Sequence, residues 1–574
     1  MMNRILRFAL LGVVVLMPAL ATWISVFLPA RVMKQTQYDF LGRTGRTLNV
    51  AGGTSLEVSP SFGVALHDIS VAGASALADP VVNAKALFIP ISLAQAFGVR
   101  APTGDVLIDV PVFTMSVNSE GRSNIYLGGM ADAKTDVNAP LPGPMLVNFQ
   151  NGTFIYKDEV KAKIFTFSEA DGLIAVDAQQ EMTLKSAAAL GGQRVHFQGV
   201  LHSLPRAFAD GSPLDFNLDG VGSAFGFSGR VVAAKNIDLA GQATVDTDDA
   251  ARLFKWLGVE VHGLSGKYPL VISSAVESQG PVFLLKKADV QFAGMKGQGD
   301  VSFSPSGPRP SLTLALSLDE LNTDLYALPV KGLAPIGSWN DRPFDLSDFK
   351  TLDMQFRIAT SQARFGEFIF GPAEIDGELK DGVLTTTINS ETSGKADVIF
   401  DAAQTPPNLK LNLDLKNVEA KTFMPRFAGM NWLQGPMRLS ASLAAEGASQ
   451  AEMIGNLKGS VDAQIDHARI QGVELGGLAA HVQSEAVSGW EGATTDPVVG
   501  NVKLSVVDGV ATLQENVITA PGVKTSQSGE IDILRQALNL EAKLALNRGD
   551  GKPMKIKITG PWAKPSFALV NSNN

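Results

Sequence analysis

The chain has 574 residues, 45% of them hydrophobic and only 18% charged, with a net charge of −9. That length exceeds one ordinary hydrophobic core, and an acidic chain without a long Lys/Arg run argues against a nucleic-acid partner. Cysteine is absent, which excludes thiolate metal sites, iron–sulfur clusters and cysteine nucleophiles.

Arg4 and Arg7 precede "FALLGVVVLMPALATWISVFL", an uncharged run from Phe8 to Leu28. At about 1.5 Å per helical residue it can span a bilayer core. Ala19-Leu20-Ala21 also fits a signal-peptide cleavage site. The run continues through Trp23, Ile24, Val26, Phe27 and Leu28, which a cleaved signal does not need, so an uncleaved anchor is expected. Trp23 and the Arg31/Lys34 pair would then sit at the far interface.

Beyond the anchor the chain reads as strand, turn, strand. "TLNVAGGTSLEVSP" predicts two short strands paired around Gly52-Gly53, followed by strands in "FGVALHDISVAG" and "DVLIDVPVFTMSVNSEGRSN". Residues 131–144 are polar and Pro-rich, a linker. In "LVNFQNGTFIYKDE" the Asn151-Gly152 pair predicts a hairpin turn. Strands then alternate with period two, which puts apolar residues on one face. These are Leu214, Phe216 and Leu218; Leu312, Leu314, Leu316 and Leu318; Leu352, Met354, Phe356 and Ile358. Farther on come Leu409, Leu411, Leu413 and Leu415 in "LKLNLDLK"; Leu538, Leu540, Ala542, Leu544 and Leu546; and Met554, Ile556 and Ile558. Asp376-Gly377, Asp381-Gly382 and Asp508-Gly509 are predicted turns, and Gly294, Gly297 and Gly299 predicted hairpin glycines. Helices are few: "PISLAQAFGV", "TDDAARLFKWLG" with Thr247 as N-cap, "AKTFMPRFAGMNWL" interrupted by Pro425, and "ELGGLAAHVQSEAVSGW".

Catalytic constellations are missing. The six histidines (His67, His196, His202, His262, His467, His481) include no i,i+4 pair, so H-E-x-x-H is absent. Gly226-Phe227-Ser228-Gly229 has the wrong spacing for a nucleophile elbow. Gly266-Lys267 is followed by Tyr268, which lacks the hydroxyl position of a phosphate-binding loop. "DTDDA" at 246–250 lacks the glycine and distal glutamate of a calcium loop. No metal, cofactor or catalytic residue is expected. The positive signal is the alternation itself. Its apolar faces either meet one another in β-sandwiches or line a surface that holds something other than protein. An outer-membrane barrel also alternates, but the chain opens with a helical span and has only 5 Tyr and 6 Trp for aromatic girdles.

The opening "TGRTLNVAGGTSLEVSPSFGVALHDISV" resembles the AsmA-like family of anchored envelope proteins, with landmarks at Thr44, Gly45, Arg46, Gly52, Pro60, Gly63, Val64 and Asp68. "LIDVPVFTMSVNSEGRSNI" resembles its next element, with Pro111, Gly121 and Asn124. "FIFGPAEIDGELKDGVLTTTI", "MIGNLKGSVDAQIDHARIQGVEL", "VVDGVATLQENVITAPGVKTSQSGEIDILRQALNLEAKL" and "IKITGPWAKPSF" resemble later segments. The resemblance covers roughly residues 1–125 and 350–570.

The resemblance implies a mainly β fold. A transmembrane anchor (1–30) would lead into a long, curved, largely antiparallel sheet forming an elongated half-open hydrophobic groove with a few short helices. That sheet would be divided as 31–130, 131–345 (with a short helix near 247–257) and 346–574. It implies an inner-membrane, single-pass protein with its bulk in the periplasm. Such a protein would conduct phospholipid or another acyl-chain lipid between the two membranes and support outer-membrane biogenesis, without enzymatic activity or cofactor. An outer-membrane or envelope protein is a possible partner. The groove candidates are Leu312, Leu314, Leu316, Leu352, Met354, Phe356, Leu409, Leu411, Leu413, Leu415, Leu538, Leu540, Leu544, Leu546, Met554, Ile556 and Ile558. The alternative is an assembly factor that captures client strands by edge pairing without carrying lipid.

Overall fold

Period-two alternation becomes strand almost wherever it occurs, and strands dominate the fold. The computed structural model describes residues 25–570 apart from 26, 45, 59–60, 74–79, 93–103, 118–123, 125–144, 159–162, 208, 234–236, 257–266, 280–281, 305–307, 323–338, 366–367, 429–430, 485–490 and 548–552. Nearly all of the expected span 8–28, most of the helix expected around 92–98, and the linker 131–144 lie outside the described residues. Among the described residues no helix is long and apolar enough to cross a membrane. The chain divides into two units, residues 1–257 with 270–280, and residues 258–269 with 281–574.

In the first unit the helix Leu28–Thr44 lays Leu28 and Val32 against Leu48, Val64, Leu66 and Ile69. Gln37 Nε2 donates to the Leu48 carbonyl at 3.0 Å. The strands Leu48–Val50 and Thr54–Glu57 do not pair with each other as expected. Both run antiparallel to Gly63–Val71. Gly53 adopts φ +79°, which bulges the chain outward and returns it to the same partner rather than reversing it. Strands Gly104–Asp109 and Val112–Val117 run parallel to Met145–Asp158. From Met145 to Gln279 the strands form an antiparallel meander.

Asn151-Gly152 lies inside the strand Met145–Asp158 and not at its end. Asn151 has φ +51° and its N–H donates to Asp171 Oδ1, so the left-handed residue makes a bulge where a hairpin was expected. The expected helix near 247–257 forms as Ala250–Trp256. Its cap is Asp249, which accepts the Arg252 N–H at 3.1 Å, while Thr247 Oγ1 accepts the Asp249 N–H one step earlier. Arg46 of the opening segment and Asn124 of the next one meet in this unit. Arg46 donates to the Ala72 and Asn124 carbonyls. The fully buried Asn124 accepts from the Ser116 N–H and donates to the Thr114 carbonyl, each at 2.8 Å.

In the second unit Val282–Phe292, Met295–Ser304 and Ser311–Leu318 are antiparallel. Ser311–Leu318 then pairs in parallel with Asp353–Phe365. Leu321–Asn322 pairs in parallel with the same strand, and among the described residues the pairings from Asp353–Phe365 on through Ser566–Leu569 are antiparallel. The predicted turns at Asp381-Gly382 and Asp508-Gly509 are present, with both residues of each at positive φ as two-residue hairpins require. Asp376-Gly377, by contrast, is inside the strand Phe368–Lys380, and Gly297 and Gly299 are inside Met295–Ser304. These glycines make room for a neighbour's side chain or backbone rather than a turn.

The helices Ala420–Ala428 and Leu475–Ser484 form where expected, the first with Pro425 inside it. Phe423, Leu478 and Ala479 share a closed core with Leu415, Val418, Val523, Leu544 and Ile556. A further helix, Gln450–Gly455, was not expected. Ser449 accepts the Glu452 N–H, and the Glu452 carboxylate accepts the Ala448 N–H. The Ser-x-x-Glu capping box in "SQAE" was the available signal.

Candidate functional site: a one-sided apolar face

Residues paired directly across neighbouring strands share a face. Registry in the second unit therefore assembles the separate leucine stripes into rows. One row takes a residue from each successive strand: Phe283, Phe303, Leu312, Met354, Leu379, Leu384, Phe400, Leu409 and Ala445. The next runs Leu285, Val301, Leu314, Phe356, Gly377, Thr386, Val398, Leu411 and Leu443. It continues through Gly459, Val506, Ala511, Ile531 and Leu538. A third runs Leu316, Ile358, Ile375, Ile388, Ala396, Leu413, Ala441, Val461, Leu504 and Leu513. The gap left by Gly377 is filled by the Phe356 ring of the adjacent strand.

Burial varies along the rows: Ile375, Ala396, Ala441, Ala445, Val506, Ala511 and Leu513 are buried, and the large side chains of the strands before and around them are less covered. Leu312, Leu314, Leu316, Met354, Phe356, Leu409, Leu411, Leu413 and Leu443 are all half-buried, and Phe283 and Phe303 remain 41% and 38% exposed. Each of these side chains keeps part of its surface accessible. The opposite face is polar. Lys410, Asn412, Asp414 and Lys416 are exposed. Ser442 Oγ donates to Asn412 Oδ1 at 2.8 Å, Arg357 pairs with Asp376 at 2.6 Å, and Lys555 with Glu541 at 3.2 Å.

The seventeen groove candidates divide by burial. Leu352, just ahead of the strand Asp353–Phe365, and Leu538, Leu540, Leu546, Met554 and Ile558 are half-buried like the row residues above. Leu415, Leu544 and Ile556 are 3%, 1% and 2% exposed within the helix-covered core, and so do not face an open surface. Phe303, Leu379, Leu384, Phe400 and Leu443 belong to the same rows although sequence reading did not single them out. Their strands alternate less cleanly, and register is what reveals them.

The first unit repeats the pattern on its own strands. Val106, Val147, Ile174, Leu184, Gly199, Phe216, Phe227 and Ala243 form a cross-strand row. On its polar face His202 is held between Glu181 (2.9 Å) and Asp215 (3.1 Å). Hydrogen bonds that the ring donates to these carboxylates, Asp215 first, raise the His202 pKa above the ordinary histidine value. Among the described residues no group of three or more His, Asp or Glu is placed to hold a metal ion.

Serial antiparallel strands with one apolar face, half-buried rather than sealed, define a class of β-sheet protein whose sheet presents an open apolar surface. Residues 392–516, which include the strands of Leu409–Leu415 and Leu443, match the model of the AsmA family. No curated protein and no solved structure matches it.

Proposed function

We propose that the chain is a non-enzymatic envelope protein whose open apolar face binds the acyl tails of phospholipid and passes them along the sheet. The observation that carries this reading is the half-burial of successive leucine rows. Apolar side chains in register across many strands, with their tips accessible, offer a surface on which a tail loses water without displacing a protein core. Removing a tail into water costs about 0.8 kcal/mol per CH₂. Sliding from one row to the next exchanges like contact for like and has a far smaller barrier. No side chain needs to react, and any driving force comes from elsewhere. The match to the AsmA family supports placing the protein in the envelope. There, residues 8–28 would anchor it in the inner membrane, and the sheet would act in the periplasm in outer-membrane biogenesis.

Native mass spectrometry of gently purified protein tests the reading. Bound phospholipid is expected. Repeated recovery of lipid-free protein that retains full biological activity would overturn it, and co-purification of a client strand protein instead would favour the assembly-factor alternative.

A further inference from the structure

The apolar face of the second unit is interrupted by two amide side chains. Asn516 lies on the strand Val510–Ala520 opposite Val502, and Gln527 lies on Val523–Asp532 opposite Ala542. These two strands pair regularly up to Val517↔Ser526 and resume at Thr512↔Glu530, one residue out of step. Asn516 and Gln527 are the first residues inside that irregularity, one on each strand. Asn516 is 8% exposed. Its Oδ1 and the Oε1 of Gln527 are both buried and both lack a hydrogen-bond partner. The Gln527 amide nitrogen donates to Thr525 Oγ1, which itself donates to the Ile518 carbonyl. Ile518 and Ile558 both pack, partly buried, against the helix-covered core, while Leu540, the cross-strand partner of Ile558, is half-buried and not part of that core. The amides therefore stand where the closed core gives way to the open face.

A buried, unpaired carbonyl oxygen in apolar surroundings is costly unless a ligand satisfies it. We infer that this bulge is a subsite for a neutral hydroxyl carried on an otherwise apolar chain. The chemistry restricts the occupant. Neither amide carries a charge, so an ammonium or a phosphate would lose its hydration without a counter-charge. A hydroxyl both donates and accepts, as an amide pair does, and costs less to desolvate. This assignment rests on the acyl-tail reading above and adds a substrate preference to it. Along the face, an amphiphile with a hydroxyl on its chain or next to its ester region would dwell at the bulge, and an unsubstituted tail would pass.

The test is displacement of a fluorescent fatty acid from the purified full-length chain by 12-hydroxyoctadecanoate and by octadecanoate, both below their aggregation concentrations. The hydroxylated competitor is expected to displace at about ten-fold lower concentration. Gln527→Met and Asn516→Val are expected to reduce that preference to about two-fold or less. Equal potency of the two competitors on the native chain would overturn the subsite and leave the lipid reading standing. Failure of the fluorescent fatty acid and of octadecanoate to bind at all would sink the lipid reading itself. Should Asn516→Val not fold, Gln527→Met and the native-chain comparison still decide. A preference that persists in a folded Gln527→Met chain would also overturn the assignment.

Discussion

The ring of Phe356 occupies the space above its cross-strand partner Gly377, where any Cβ would collide with it. A glycine that reads in sequence as half of an Asp-Gly turn is thus a seat for an aromatic ring within the apolar rows. Gly377→Val should force Phe356 out of its position and destabilise the second unit by about 1–3 kcal/mol, as overpacking does. Urea unfolding would measure this. The effect should shrink in a Phe356→Ala background, because the two residues are in contact.

Replacing Leu411 and Leu413 with aspartate should leave the fold in place, since both are half-buried, and should lower lipid recovery about ten-fold or more by charging the face. Leu544→Asp makes the contrast. Leu544 is 1% exposed in the closed core, and a lone carboxylate there should cost several kcal/mol and prevent folding. Circular dichroism and lipid extraction, run on both variants, separate the outcomes. Equal lipid content in wild type and a folded Leu411/Leu413 double variant would remove the rows from the lipid path.

The Asn124 side chain makes two hydrogen bonds to the segment Thr114–Ser116, beside the bond its own N–H donates to the Ser116 carbonyl. Asn124→Ala would leave the Ser116 N–H and Thr114 carbonyl without these partners, at a cost of about 2–3 kcal/mol. The expected readout is a lower unfolding midpoint and faster amide exchange at Ser116.

His202 makes stability pH-dependent in a defined direction. Its folded pKa is raised by Asp215 and Glu181, so the protonated ring binds them more tightly in the folded state. The stabilisation is fully present below the unfolded histidine pKa and is lost as pH rises through the raised folded value. The ring is 42% exposed, so solvent screening holds the effect to about 0.5 kcal/mol or less. The melting-temperature difference between wild type and His202→Asn should be largest just below the unfolded histidine pKa, where the carboxylates are still ionised, and close toward neutrality and above. A difference that grows with pH would refute the assignment.

The strands carrying Leu312–Leu318, Leu409–Leu415 and Met554–Ile558 were legible because period two has a direct physical cause, namely alternation of side chains across the sheet. Glycine-containing pairs were not. Asn151-Gly152 and Asp376-Gly377 carry the same letters as the true turns Asp381-Gly382 and Asp508-Gly509. The difference between turn, bulge and ring seat lies in the partner strand, which a local window does not contain. Cover was equally illegible. Leu413 and Leu415 belong to one stripe, yet only Leu415 is buried in the closed core, whose other members come from strands and helices far along the chain.

Cross-strand registry also limits how such a chain can change. Deleting one residue from any crossing would turn that crossing's leucines toward water and bring its lysines into the row, breaking the hydrophobic lane there. Adding or losing a whole hairpin leaves every other crossing in phase. The molecule can therefore be lengthened or shortened by paired crossings while each remaining row stays unbroken, so reach can be altered separately from what the surface carries.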